Sequence, residues 1–341
     1  MNTNQEDKKK LNDLLELSRF YYDNKEFEKS LMYLLEFFKK EKLEISRLNM
    51  EVILDLMLKS IKIDKNDEII KISKKLIENK EKIGEWLPAI ETSLGIAYRN
   101  LEKYEKAIEI FENLTKKSPN NPNLFYLLGS CYEAIGELDK ALKQYNVALE
   151  IDPSYIDALH SSRAIYQEIE NYTELERICN KILQFSHEDL KALNSLAIIA
   201  IHKEKYERAI RILNNIIDKD NKFLDAWYNL GIAYKESGKY IYAIEAFNII
   251  IDIDPNYIEA WKFLATSYFS NEEYRKSLDI YEILIKKDKE RFEYLFGVGL
   301  NHFYLSDFKD ARKYIEKAIK RNPESEKAKF FKEKLDELLE D

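Results

Sequence analysis

The chain has 341 residues, of which 45% are hydrophobic and 34% charged, and a formal net charge of −8. That length exceeds what one compact core ordinarily takes, the composition is that of a folded chain, and the acidic balance opposes direct nucleic-acid binding. No apolar run is long enough to cross a membrane, no apolar signal core follows MNTNQEDKKK, and Cys131 and Cys179 show no metal-ligand spacing; a cytoplasmic protein with reduced thiols, no cofactor and no membrane association is expected.

In chain order, residues 1–10 read as a flexible, solubilising tail containing Lys8-Lys9-Lys10. Residues 11–87 read as two loosely patterned helix pairs and a junction. Leu14, Leu17, Ser18 and Tyr21 lie at helical spacing on a first helix, and Phe27, Ser30, Leu34 and Phe37 on a second. A long apolar helix is expected around Leu48–Ile63 and a shorter one around Glu68–Glu78, as a second, stretched pair. Asn79–Leu87 forms the junction, with Gly84 as a turn residue. Tyr21, Tyr22, Tyr33, Phe37 and Phe38 crowd the first pair, and those facing outward would join two copies through the terminal repeats.

From residue 88 to 325 the sequence repeats every 34 residues without an insertion, in seven units starting at 88, 122, 156, 190, 224, 258 and 292. Leu94-Gly95-x-x-Tyr98, then Ala107, Phe111 and Pro119, returns as Leu128-Gly129-x-x-Tyr132, Ala141, Tyr145 and Pro153. It returns again as Leu230-Gly231-x-x-Tyr234, Ala243, Phe247 and Pro255, with Trp227 ahead of it. Trp227, Leu230 and Tyr234 share one helix face, as do Tyr240, Ala243, Phe247 and Ile250, with a polar break at Ser237-Gly238-Lys239 between them. Each repeat is therefore two short helices, neither able to stand alone in water, whose apolar stripes are buried by pairing and stacking.

The rare residues mark the joints. Gly95, Gly129, Gly231 and Gly299 fall inside helices, where glycine costs roughly 1 kcal/mol against alanine. That predicts close approach of the partner helix at Ala107, Ala141, Ala243 and Ala311. Gly136 and Gly238 fall in the inter-helix turn. All six prolines lie at repeat boundaries. The repeat starting at 156 departs from the pattern: Ser162-Arg163 replaces Leu-Gly, Leu175 the alanine and Cys179 the aromatic. Altered packing and a specificity patch are both open readings of it. Residues 324–341 read as one amphipathic helix, with Ala328, Phe331, Leu335 and Leu338 on one side, expected to cap the array, the alternative being a free partner-binding helix.

The motif Trp227, Leu230, Gly231, Tyr234, Ala243, Phe247 and Pro255 resembles the tetratricopeptide repeat. The resemblance implies an all-α, right-handed α-solenoid (superhelix) of antiparallel helix pairs, with the first helix of each pair on the concave side. It implies a non-catalytic scaffold or adaptor that holds a peptide or partner protein in that groove. The alternatives are a regulatory or sensory subunit whose array changes shape on peptide binding, or a component of a nucleic-acid processing complex. The inward places implied by the family geometry include Tyr126, His160, Asn194, Tyr228, Asn229, Lys262, Phe263 and Phe296. The rings are candidate anchors and the asparagines candidate hydrogen-bonding groups for a peptide backbone. The family's two-carboxylate clamp is not formed. Asn229 fits one place, but Asn194, Ile198, Glu259 and Phe263 stand where lysine, asparagine, lysine and arginine are required. No nucleotide loop, nucleophile elbow or zinc motif is present, and the histidines at 160, 187, 202 and 302 have no ligand spacing. No catalytic residue is expected.

Overall fold

The structure, a computed structural model, describes residues 3–39 and 47–340. Met1 and Asn2 of the expected tail and Asp341 of the expected last helix lie outside the described residues. Every regular element among the described residues is helical. The chain forms two compact units, Met1–Glu170 and Asn171–Asp341.

The first unit contains α1 (Thr3–Asp23), α2 (Phe27–Phe38), α3 (Arg47–Lys62), α4 (Asn66–Glu78), the single turn α5 (Lys80–Ile83) and a 3₁₀ turn at Gly84–Trp86. It continues with α6 (Leu87–Asn100), α7 (Tyr104–Lys117), α8 (Pro122–Ala134), α9 (Leu138–Ile151) and α10 (Ile156–Glu168). Helix α1 begins at Thr3, inside the stretch expected to be a tail; neither proline nor glycine interrupts the sequence there, and the helix runs on through it. Helix α3 meets α1, α2, α4 and α6, the neighbours of a first helix within a stack, and α4 packs along α6. One core runs from Leu15 through Phe37, Leu56, Ile72 and Phe111 to Cys131.

The aromatic residues of the first pair divide between the core and its rim, with Tyr21, Tyr22 and Tyr33 half-buried. Phe37 and Phe38 are buried, Tyr21 stacks on Tyr33, and the Tyr22 hydroxyl donates to the Asp55 carboxylate. Helical periodicity turns Phe20 and Leu17 outward instead.

The second unit contains α11 (Tyr172–Phe185), α12 (Leu190–His202), α13 (Tyr206–Lys219), α14 (Leu224–Glu236) and α15 (Tyr240–Ile253). After these come α16 (Ile258–Ser270), α17 (Tyr274–Lys287), α18 (Phe292–Tyr304), α19 (Phe308–Arg321) and α20 (Glu326–Glu340). Antiparallel pairs stack in order, α12 with α13, α13 with α14, and so on to α19 with α20. Helix α20 buries Ala328 and Leu335, the latter in a cluster with Ala311 and Ile315 of α19. Leu338, expected on the same side, is exposed.

The division between units falls inside the repeat starting at 156: its first helix, α10, belongs to the first unit and its second, α11, to the second. That repeat carries Ser162-Arg163 at the place where the repeats starting at 88, 122 and 224 carry Leu-Gly. Arg163 is half-buried, and its Nη1 donates to Gln167 Oε1 at 3.3 Å, one turn along its own helix.

Within the repeats the helix ends are closed by local geometry. The fifteenth residue of all seven repeats has positive φ: Gly136 and Gly238 at 78° and 77°, and Glu102, Glu170, Glu204, Glu272 and Ser306 between 55° and 65°. In the repeat starting at 122, Gly136 N–H donates to Glu133 O at 2.9 Å and Glu137 N–H to Tyr132 O at 2.9 Å, so the left-handed residue ties off the orphan carbonyls. At the other boundary an aspartate closes the second helix. The Oδ1 atoms of Asp152, Asp220, Asp254 and Asp288 each accept the N–H two residues on, at 2.9 to 3.1 Å. Across that boundary Trp227 Nε1 donates to Asn221 O at 2.9 Å and Trp261 Nε1 to Pro255 O at 3.0 Å.

The mid-helix glycines make room above all for a ring or branched chain, and at Gly129 and Gly299 a Cβ would also meet the carbonyl of the facing alanine, Ala141 at 3.2 Å and Ala311 at 3.4 Å. A Cβ on Gly95 would stand 2.7 Å from the Phe111 ring, one on Gly129 2.5 Å from Tyr145, and one on Gly231 2.5 Å from Phe247. On Gly299 it would stand 2.6 Å from Ile315 Cγ1. The alanine lies one turn before that side chain, so the sequence spacing placed both on the correct face without showing which fills the gap.

Candidate peptide-binding face

Within each unit the first helices of successive repeats run against one another: α6 with α8 and α8 with α10, then α12 with α14 and α14 with α16. In each unit they form a face, and most of the residues expected to bind a partner lie on these two faces.

In the second unit, Tyr228 of α14 and Phe263 of α16 meet edge to face at 5.4 Å. Tyr228 also touches Tyr257 at 5.8 Å, and Phe263 stacks on Phe247 of α15 at 5.5 Å. Phe247 is fully buried, while Tyr228, Tyr257 and Phe263 are only half-buried. The cluster thus has a buried base and a wet rim. Burial pushes the Tyr228 phenol up to about 12, helped by Tyr257 and Glu259. Burial also raises the Tyr257 phenol, with Asp225, Glu259 and Asp254 adding to the rise.

Three repeats earlier the same places carry Tyr126, Tyr145 and Tyr155. Tyr126 lies 5.8 Å from Tyr145 and 5.6 Å from Tyr155. The place of Phe263 is taken by Ser161, so the base is more polar here. The buried Tyr145 hydroxyl donates to Glu133, and Tyr155 donates to Asn123 Oδ1 at 3.0 Å. Burial raises the Tyr126 phenol and Asp157 adds to it, while Arg99 works against the rise.

Asn194 and Asn229 are brought together rather than presented separately. They are 6% and 9% exposed, and Asn229 Nδ2 donates to Asn194 Oδ1 at 3.0 Å, joining α14 to α12. Phe296 stacks on Phe292 at 5.6 Å and meets Phe331 of α20 at 6.2 Å, and like Tyr228 and Phe263 it is half-buried. Gly297, on the same face, is buried beneath Tyr281, against whose ring a Cβ would stand at 2.4 Å. Lys262 is half-buried, one residue before Phe263, and His160 is half-buried on α10. The other first-helix histidines pack against rings: His202 stacks on Tyr172 at 4.0 Å and His302 on Tyr314 at 5.9 Å.

Sequence spacing missed two members of these clusters. Tyr155 and Tyr257, the last residues of their repeats, lie outside the first-helix places, yet each caps the ring set of its own repeat. Their recurrence three repeats apart was the available signal. Among the described residues no group of three histidine, cysteine or acidic side chains is placed to hold a metal, and no helix is long and apolar enough to cross a membrane.

Family models described as tetratricopeptide repeat match residues 92–156, 224–257 and 292–325. No curated protein matches the chain. Among solved structures, Pseudomonas aeruginosa PilF is 20% identical, with a TM-score of 0.53, covering 62% of this chain and 97% of its own. The Cut9–Hcn1 hetero-tetramer of the APC/C is 12% identical, with a TM-score of 0.56, covering 90% of this chain and 58% of its own. YrrB, described as a TPR protein with an unusual peptide-binding site, is 18% identical with a TM-score of 0.39, covering 65% of this chain and 97% of its own. At these identities the likeness is one of fold. The repeat motif, the stacked helix pairs and the matching family models agree: the chain carries tetratricopeptide repeats.

Proposed function

We propose that the chain is a non-catalytic protein-interaction scaffold, and that the first-helix face of the second unit, centred on Tyr228 and Phe263, holds a peptide or a partner's helix. The observation that carries this reading is the half-buried state of three touching rings above a fully buried Phe247. Apolar area left in water is worth about 25 cal/mol per Å² when a partner covers it, and rigid aromatic groups dominate interface energetics. The face is held from behind. The Asn194–Asn229 bond fixes α14 against α12, and Phe247 fixes α14 against α16 through both rings. A binding surface with its supports already in place loses little entropy on association.

The test is affinity purification of the tagged chain from its native cells, with mass spectrometry of what accompanies it. It is run beside a Tyr228→Ser/Phe263→Ser variant whose helicity is verified by circular dichroism. A partner lost only in the variant supports this face. A partner retained by both places the interface elsewhere on the chain, and the absence of any specific partner argues against the scaffold reading.

A further inference from the structure

Resting on that reading, we propose that the Tyr228–Tyr257–Phe263 cluster selects a cationic peptide, whose arginine or lysine side chain lies over the tyrosine rings between Asp225 and Glu259. Asp225 precedes Tyr228 by three residues on α14, and Glu259 precedes Phe263 by four on α16, so each carboxylate shares a helix face with a ring of the cluster. Since Tyr228 and Phe263 touch at 5.4 Å, the two carboxylates flank one aromatic patch from neighbouring helices. Both carboxylates are exposed. A ring face attracts a cation through its quadrupole, and flanking carboxylates add a charge-assisted partner for the same group.

The first unit supplies a comparison inside the same chain. At the places of Asp225 and Glu259 it carries Asn123 and Asp157, and Asn123 is engaged by the Tyr155 hydroxyl at 3.0 Å. Arg99 adds a resident cation that donates to Ser130 Oγ at 3.2 Å and bears on Tyr126. Three repeats after Arg99 stands Ile201. The ring cluster of the first unit thus holds a cation of its own, Arg99, beside the acidic Asp157 and Glu133. That of the second has two carboxylates and, at the place of Arg99, the uncharged Ile201; the acids bearing on its Tyr257 phenol are Asp225, Glu259 and Asp254, as Asp157 and Asp152 bear on Tyr155 in the first. Lys262, next to Phe263 in sequence, is half-buried on the same helix as Glu259.

The test uses the full chain and three fluorescein-labelled peptide mixtures, randomised among glycine and apolar residues, with fixed positions that are arginine, glutamine or glutamate. Binding is followed by fluorescence polarisation. The arginine mixture is expected to bind best, and Asp225→Asn/Glu259→Gln to weaken it roughly tenfold. A charge-matched control on the second helix α17, Asp279→Asn/Glu282→Gln, is expected to leave it unchanged. Equal weakening by both variants would reduce the effect to net charge and overturn the proposal. So would equal binding of all three mixtures, lost on Tyr228→Ser/Phe263→Ser, although the binding face itself would then stand. Binding of any mixture that survives Tyr228→Ser/Phe263→Ser, or no binding at all, overturns the face and the cationic preference together.

Discussion

Ser18 and Ser30 bind each other's backbones across the first helix pair, Ser18 Oγ donating to Ser30 O at 2.9 Å and Ser30 Oγ to Ser18 O at 2.7 Å. Both are buried. They occupy the places that glycine and alanine hold in the regular repeats, so a polar latch replaces close apolar contact. Ser18→Ala is expected to destabilise the pair by about 1 kcal/mol, and Ser18→Ala/Ser30→Ala by less than the sum of the single changes. Amide hydrogen exchange in α1 and α2 reads this directly; unchanged protection in both single variants would show the latch to be idle.

Gly231→Ala and Gly238→Ala separate two uses of one residue type. At Gly231 a Cβ collides with the Phe247 ring, which costs about 1–3 kcal/mol, and Phe247→Leu added to it is expected to recover part of the loss. At Gly238 nothing lies within 4 Å, and the cost of about 1 kcal/mol comes from φ alone, so Phe247→Leu gives no recovery. Thermal unfolding of the four variants distinguishes the cases.

Glu204 has a φ of 55° where glycine stands in two other repeats. Glu204→Gly is expected to stabilise the second unit by roughly 0.5 kcal/mol, the relief of the left-handed backbone exceeding the added entropy of the unfolded chain. A lower unfolding midpoint in urea would contradict this.

Tyr281 is buried, and burial pushes its phenol up to about 12. The folded state therefore holds this proton more tightly than the unfolded chain, whose phenol titrates near 10. The linked stability is fully present below pH 10 and is lost as pH rises from about 10 to 12, at most about 2–3 kcal/mol for this group. Tyr281→Phe is expected to flatten the decline in that window and leave the neutral-pH midpoint nearly unchanged. An alkaline profile identical to that of the parent chain would refute it.

The regular array was legible because a 34-residue period repeats the same physical solution seven times. The break at Ser237-Gly238-Lys239 became a left-handed turn, and Pro119, Pro153, Pro255 and Pro323 each follow the residue that caps a second helix. What escaped depends on which residues face each other across repeats. Periodicity puts Asn194 and Asn229 on inward faces but says nothing of the bond between them, since it arises from stacking α12 on α14. The contact of Phe296 with Phe331 is equally unreadable, because the path of α20 is not written in the period of the repeats that precede it. Ser18 and Ser30 looked like weakened markers because serine suits solvent as well as a buried latch.

The indole bonds at the repeat boundaries give the molecule its own optical labels. Of the three tryptophans, Trp86 lies in the first unit, while Trp227 and Trp261 tie successive helix pairs of the second through Asn221 O and Pro255 O. Separation of those pairs releases both indoles to water and shifts their emission to the red. Trp227→Phe/Trp261→Phe leaves Trp86 to report on the first unit alone, so the order in which the two halves of the chain lose structure is readable from fluorescence without an added probe.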